Sequence, residues 1–175
     1  MNALARRLMG GFAVLLAGAS AAGVSETGAQ SFTIETVILA EAKPAKVYAD
    51  LVRPQLWWHS DHTWSGSSRN LKIDARAGGC FCEKLGNGGS VQHGRVVFAQ
   101  PGKLLRIDGA LGPLQEMAVS GVLTFTLAPD AGGTRISMSY RVSGALTMDS
   151  AKLAPLVDSV MTQQLQRLRD FTATK

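Results

Sequence analysis

The stretch from Gly78 to Phe98, GGCFCEKLGNGGSVQHGRVVF, limits what this chain can fold into more than any other. Asn87-Gly88 is a strong two-residue turn signal, because a type I′ turn needs positive φ at both central positions. The stretch therefore reads as a β-hairpin. With that turn, Gly86 pairs with Gly89, and counting outward sets Lys84 against Val91, Cys82 against His93 and Cys80 against Arg95. Side chains alternate along a strand, so Cys80, Cys82, His93 and Arg95 share one face, and Phe81, Leu85, Val96 and Phe98 share the other. Apolar patterning sends Phe81, Val96 and Phe98 inward together with Leu105 and Ile107, which turns the cysteine–histidine face to solvent. A one-residue bulge would reverse part of this arrangement.

Two thiols and an imidazole on one face are a candidate set for zinc or copper(I), which thiolate and imidazole suit as donors. His59 or His62, three apart in a polar loop, could supply a fourth ligand to Cys80, Cys82 and His93. The plain alternative is two small strand residues beside an incidental histidine. A second chemistry is a Cys82–His93 nucleophile pair, although no third, orienting group is identifiable. Side chains two apart on an extended strand run parallel, which disfavours a disulfide and leaves a strained Cys80–Cys82 bridge as the remaining option.

At 175 residues the chain suits one domain with a sizeable core. Residues 1–21 read as a signal peptide. Arg6 and Arg7 form the basic region, Leu8 to Ala19 the apolar one, and Ala19-Ser20-Ala21 the cleavage site, with Thr27-Gly28-Ala29 as a later option. The apolar run is shorter than the ~20 residues of a spanning helix. The expectation is a periplasmic or secreted protein with no membrane anchor after cleavage, its domain covering residues 30–175. Without Arg6 and Arg7 the chain keeps 16 basic and 13 acidic residues. The basic residues are scattered, with no stripe and no interleaved stacking aromatics, so a nucleic-acid partner is not expected.

In chain order, Phe32 to Ala40 has strand composition, and Pro44 opens a short helix with Val47, Tyr48 and Leu51 on its apolar face. A polar-aromatic loop, WWHSDHTWSGSSRN, follows and holds Trp57, Trp58 and Trp64. Leu71 to Ala75 can form a strand leading into the opening hairpin. Pro101-Gly102 is the next turn; as a two-residue loop it pairs Phe98 with Leu105, Val96 with Ile107 and Arg95 with Asp108. Val119–Leu127 and Thr134–Val142 form the clearest hairpin, with Leu127, Phe125 and Leu123 opposite Ile136, Met138 and Tyr140. A helix from Leu153 or Pro155 to about Thr172 closes the chain, with Val157, Val160, Met161, Leu165 and Leu168 at helical spacing. Arg167 and Arg169 sit near its end, where cations complement the dipole. This order is α+β: an antiparallel sheet with one long helix laid on its apolar face.

The pattern resembles the START-like, or SRPBCC, superfamily with its helix-grip fold, in which a curved antiparallel sheet wraps around a long C-terminal helix. It looks most like the branch of bacterial homologues of the heat-shock-protein ninety ATPase activator. The matching residues are Phe32-Thr33-Ile34 before Pro44, Gly78-Gly79-x-Phe81, His93-Gly94-Arg95-Val96, Pro101-Gly102-Lys103-Leu104 and the closing helix. The likeness spans about residues 32–172, and the leader departs from cytosolic chaperone activators. Pro101-Gly102-Lys103-Leu104 lacks the upstream Gly and the Ser/Thr of a phosphate-binding loop, so an ATPase role has no support.

The resemblance implies a cavity between sheet and helix for a small hydrophobic, lipid- or polyketide-like molecule. It implies no required cofactor and no shared catalytic residues. The expected lining is Phe81, Phe98, Phe125, Met138, Tyr140 and Met161, with Trp64 at the entrance. A rival class is a cyclase- or dehydratase-like enzyme in which His93, Cys82 or Tyr140 acts on the bound molecule. A third is a partner-binding module using the sheet or the aromatic loop.

Overall fold

The computed structural model describes residues 22–174. The leader expected over residues 1–21 lies outside them. Eight strands form one antiparallel sheet: β1 (Ala22–Gly28), β2 (Ser31–Ala40), β3 (Leu71–Ile73), β4 (Cys80–Lys84), β5 (Ser90–Gln100), β6 (Leu104–Asp108), β7 (Ala118–Asp130) and β8 (Gly133–Ala145). Their order across the sheet is β1-β2-β8-β7-β6-β5-β4-β3. Helix α1 (Pro44–Leu51) follows β2, and the long helix α2 (Ser150–Ala173) closes the chain. This is the α+β helix-grip arrangement, with α2 packed against β1, β2 and α1.

Local chemistry sets most of these elements. Pro44 occupies the first position of α1, where its missing N–H costs nothing, and Val47, Tyr48 and Leu51 are buried as expected. The β7–β8 hairpin has the expected register, Leu123, Phe125 and Leu127 facing Tyr140, Met138 and Ile136. All six are buried, and the expected Ala131-Gly132 turn, closed by the Asp130↔Gly133 pair, sets the register. On α2, Met161, Leu165 and Leu168 point into the core. The helix starts earlier than expected, because the Asp149 side chain accepts a hydrogen bond from Ala151 N–H at 2.8 Å and caps it. Pro155 is thus inside the helix. Arg167 and Arg169 precede its last turn, and Arg167 Nε instead donates to Trp57 C=O at 2.8 Å.

Strand β1 lies upstream of the expected domain start at residue 30 and pairs with β2 from Ala22↔Thr36 to Gly28↔Ser31. It lacks clear alternation, since AGVSETG offers one large apolar side chain. Its place comes from covering the β2 edge and from the Ser150 hydroxyl, which donates to Gly28 C=O at 2.5 Å.

Registers at the hairpin of β4 and β5 depart from the simple count. Asn87 and Gly88 both have positive φ, 56° and 78°, and Gly89 N–H donates to Gly86 C=O at 3.1 Å, so the type I′ turn forms as expected. Immediately beyond it the register slips by one, pairing Lys84 with Ser90 and Cys82 with Gln92. A bulge at the Phe81/Cys82 step then restores the count, so that Cys80 does face Arg95. The unpaired residue is His93, which the bulge rotates to the inner face beside Phe81 and Glu83. Gly94 follows it inward, and a Cβ there would lie 2.6 Å from Ile107 Cγ2, so the close crossing of β5 and β6 requires glycine.

The same slip and recovery occurs between β5 and β6. Pro101-Gly102 turns the chain, with Lys103 N–H donating to Gln100 C=O at 3.0 Å. Arg95↔Asp108 and Val96↔Ile107 pair as expected, but a bulge at Val97 sets Phe98 against Arg106 rather than Leu105. Phe98 is consequently 46% exposed on the outer face, which removes it from the core and from the cavity lining.

Candidate functional site

Between the inner face of the sheet and α2 lies a cavity of about 530 Å³. Four parts of the chain wall it. The sheet contributes Leu71, Phe81, His93 and Tyr140; α2 contributes Leu153, Leu156, Val157, Val160 and Met161. The loop after β6 contributes Leu111, Pro113, Leu114 and Met117, and the aromatic loop Trp58 and Trp64. Of the expected lining, Phe81, Tyr140, Met161 and Trp64 are in place, with Trp64 47% exposed at the mouth. Phe125 and Met138 are buried in the core and do not line the cavity; α1 packs against β7 and β8. The loop after β6 was not foreseen as a wall. Its turn-rich sequence gave no periodic signal, and its position depends on Tyr140, whose hydroxyl accepts from Leu111 N–H at 2.9 Å and donates to Gly109 C=O at 3.0 Å.

Among the described residues, the one buried carboxylate on the inner face of the sheet is Glu83, with 1% exposure. Its Oε1 accepts from Ser65 N–H at 2.5 Å, and its Oε2 from Trp64 N–H at 3.1 Å and from His93 Nε2 at 2.9 Å. Glu83 thus ties the aromatic loop at the mouth to the histidine in the floor. Burial by itself pushes this carboxyl up, but the hydrogen bonds from Ser65, Trp64 and His93 outweigh it and hold the group below its ordinary value. Burial pulls His93 below its ordinary value, and the neighbouring Glu83 opposes this only in part. The ring of His93 also packs on Phe81, centroids 5.0 Å apart.

These directions predict an acid-labile fold. Both groups bind a proton less readily in the folded protein than in the unfolded chain, so stability rises with pH wherever either titrates. It should be complete above the ordinary imidazole value of 6.5, decline as pH falls through it, and decline again below the ordinary carboxyl value of 4.5. Thermal melts of the parent and of His93→Phe check this: the variant should lack the loss between about pH 7 and pH 5. A parent that gains stability over that interval would contradict the assignment.

The expected metal set does not come together. Cys80 and Cys82 are joined by a disulfide with Cα atoms 5.4 Å apart, within the usual range for such bridges. Two steps of regular strand would span about 6.6 Å, and the contraction falls at the bulge. The bridge therefore forms where an ideal strand would have disfavoured it. Cys82 faces outward opposite Gln92 and Lys72, whereas His93 faces inward, so neither a shared ligand set nor a Cys82–His93 nucleophile pair exists. His59 and His62 are engaged elsewhere: His59 Nδ1 accepts from Asp61 N–H at 3.2 Å, and His62 Nε2 pairs with Gln163 Oε1 at 2.9 Å. Among the described residues no group of three or more His, Cys, Asp or Glu could hold a metal ion.

Two of the three tryptophans are structural. Trp57 and Trp58 are buried, their indole N–H groups donating to Asp50 C=O and His62 C=O, both at 2.9 Å. Trp58 adds its ring to the cavity wall, edge-on to Phe81 at 5.7 Å between centroids. Gln164, buried on α2, fastens the same loop by accepting from His59 N–H at 2.8 Å.

Residues 31–170 match the protein family described as polyketide cyclase/dehydrase and lipid transport. No curated protein matches the chain. Among solved structures, a protein from Rhizobium leguminosarum is similar at 16% identity and TM-score 0.63, covering 83% of this chain and 97% of that one. CalU16 from Micromonospora echinospora is similar at 15% identity and TM-score 0.58, covering 89% and 86%. The di-domain ARO/CYC StfQ from the steffimycin biosynthetic pathway is similar at 11% identity and TM-score 0.56, covering 82% of this chain and 51% of that protein. At these identities the likeness is one of fold.

Proposed function

The chain belongs to the polyketide cyclase/dehydrase and lipid-transport family, and from that premise we propose that it is an exported binding protein for a small, mostly apolar molecule held under α2. The observation that carries this reading is the cavity itself. At about 530 Å³ it has the size and apolar lining of a small-molecule site, with few polar groups on its walls. Native mass spectrometry of the protein purified without added ligand tests it. The expected spectrum contains a one-to-one complex with an organic molecule. A chain that emerges empty and takes up none of a panel of apolar compounds would contradict the reading.

Export is supported by the basic and apolar pattern of residues 1–21 and by the Cys80–Cys82 bridge, since disulfides persist mainly in oxidising compartments. Cleavage after Ala21 keeps β1, whereas cleavage after Ala29 would remove it, so the earlier site fits the sheet better. N-terminal sequencing of the mature protein should begin at Ala22; an intact Met1 would overturn export. The likeness to bacterial homologues of the heat-shock-protein ninety ATPase activator rests on the sequence motifs, and the leader separates this chain from a cytosolic role.

A cavity enzyme is the second reading, favoured by the Glu83–His93 pair alone. Cys82 is bridged and outward-facing. The Tyr140 hydroxyl is occupied by two backbone partners, and burial holds its pKa far above the ordinary range. Only His93 remains to act on a bound molecule.

A further inference from the structure

Among the described residues, one side-chain polar atom left available deep in the cavity specifies more than an apolar ligand. His93 is 6% exposed and its ring lines the cavity. Nε2 is taken by Glu83, and Nδ1 has no hydrogen-bond partner among the described residues. It is not sealed in, because Tyr48 Oη is the only side-chain polar atom there that is both fully buried and without a partner. The other polar residues on the walls offer little at depth. Asp61, His62 and Thr63 belong to the loop at the mouth, where His62 pairs with Gln163 and Thr63 Oγ1 donates to Ser60 C=O at 2.6 Å. Tyr140 Oη is already both donor and acceptor.

The tautomer of His93 follows from its partner. Glu83 takes two backbone N–H groups as well as the imidazole, an environment that favours the carboxylate, and a carboxylate only accepts. Nε2 must therefore carry the proton, and the neutral ring presents the Nδ1 lone pair. We infer that His93 Nδ1 is a hydrogen-bond acceptor selecting apolar ligands that carry a hydroxyl donor, a phenol or alcohol, over ethers or ketones of the same shape. Leaving Nδ1 unpaired against an apolar ligand would cost part of its hydration, so the discrimination works by matching and by penalty together.

This subsite rests on the cavity being a ligand site, and the test separates the two. Affinities of 2-naphthol and 2-methoxynaphthalene are measured by calorimetry on the mature protein and on His93→Phe, which keeps a ring against Phe81 and deletes the acceptor. The methoxy compound is the more apolar, so a featureless cavity would favour it. The expected result is about a tenfold preference for 2-naphthol in the parent, lost or reversed in His93→Phe. If Glu83 left without its imidazole unfolds that variant, the double variant Glu83→Gln, His93→Phe serves in its place. Both probes binding the parent without preference for the hydroxyl would overturn the subsite and leave the cavity reading standing. Neither probe binding would overturn both.

Discussion

Val157→Trp should abolish binding of apolar ligands while leaving the fold intact. Val157 is half-buried on α2, where it packs against the edge of the core and lines the cavity. An indole projected from that position occupies volume that a ligand would use and brings apolar surface out of water. Affinity for any probe that fills the cavity should drop by more than tenfold, with the melting temperature unchanged or raised. Overpacking a filled core normally costs ~1–3 kcal/mol, so a clear loss of stability would mean that the space is smaller than it measures. Calorimetric titration and a thermal melt on the same sample decide between these outcomes.

Leu168→Ala should be the most damaging single truncation on the closing helix. Leu168 is fully buried, as is Leu165 one turn earlier. Deleting a buried leucine side chain costs ~2–5 kcal/mol, a large part of the reserve of a domain this size. Around 150 residues, that corresponds to a fall of roughly 6–15 °C in Tm. Leu156→Ala is the control: this side chain is 59% exposed at the cavity mouth and should shift Tm little. A Leu168→Ala melt within a degree of the parent would mean that α2 is not held by this face.

The contrast between these helix positions was largely legible in the sequence, because helical spacing identifies a face without knowledge of what it meets. The β7–β8 hairpin was legible to the residue because the Ala131-Gly132 turn fixes the pairing and an uninterrupted period of two carries it outward with a buried face on both strands. Turn chemistry was equally readable, and Asn87-Gly88 forms the expected type I′ turn. What followed the turns was not. In both β4–β5 and β5–β6 the register slips beside the turn and recovers at a bulge several residues later. Whether a bulge forms depends on neighbouring strands and on close approaches such as Gly94 against Ile107, not on the local pattern.

That one feature decided most of the site. It turned His93 inward and Phe98 outward. Glu83 carried a signal that could have been used. It sits in phase with Phe81 and Leu85, so the apolar count already placed a carboxylate on the inner face, where it needs partners. That need points to an inward donor on the facing strand, and His93 is the titratable residue of β5 that reaches Glu83. The loop after β6 offered no such cue, since its place depends on the Tyr140 hydroxyl across the sheet.

The central claim is that the cavity is a site for an apolar molecule rather than slack in the core. The heat-capacity change of binding tests it most directly. Burial of apolar surface gives a negative ΔCp whatever the balance of enthalpy and entropy. Titration of 2-naphthol at several temperatures should show one site per chain with a negative ΔCp, both absent in Val157→Trp. Binding at several weak sites with ΔCp near zero, unchanged by Val157→Trp, would contradict the account.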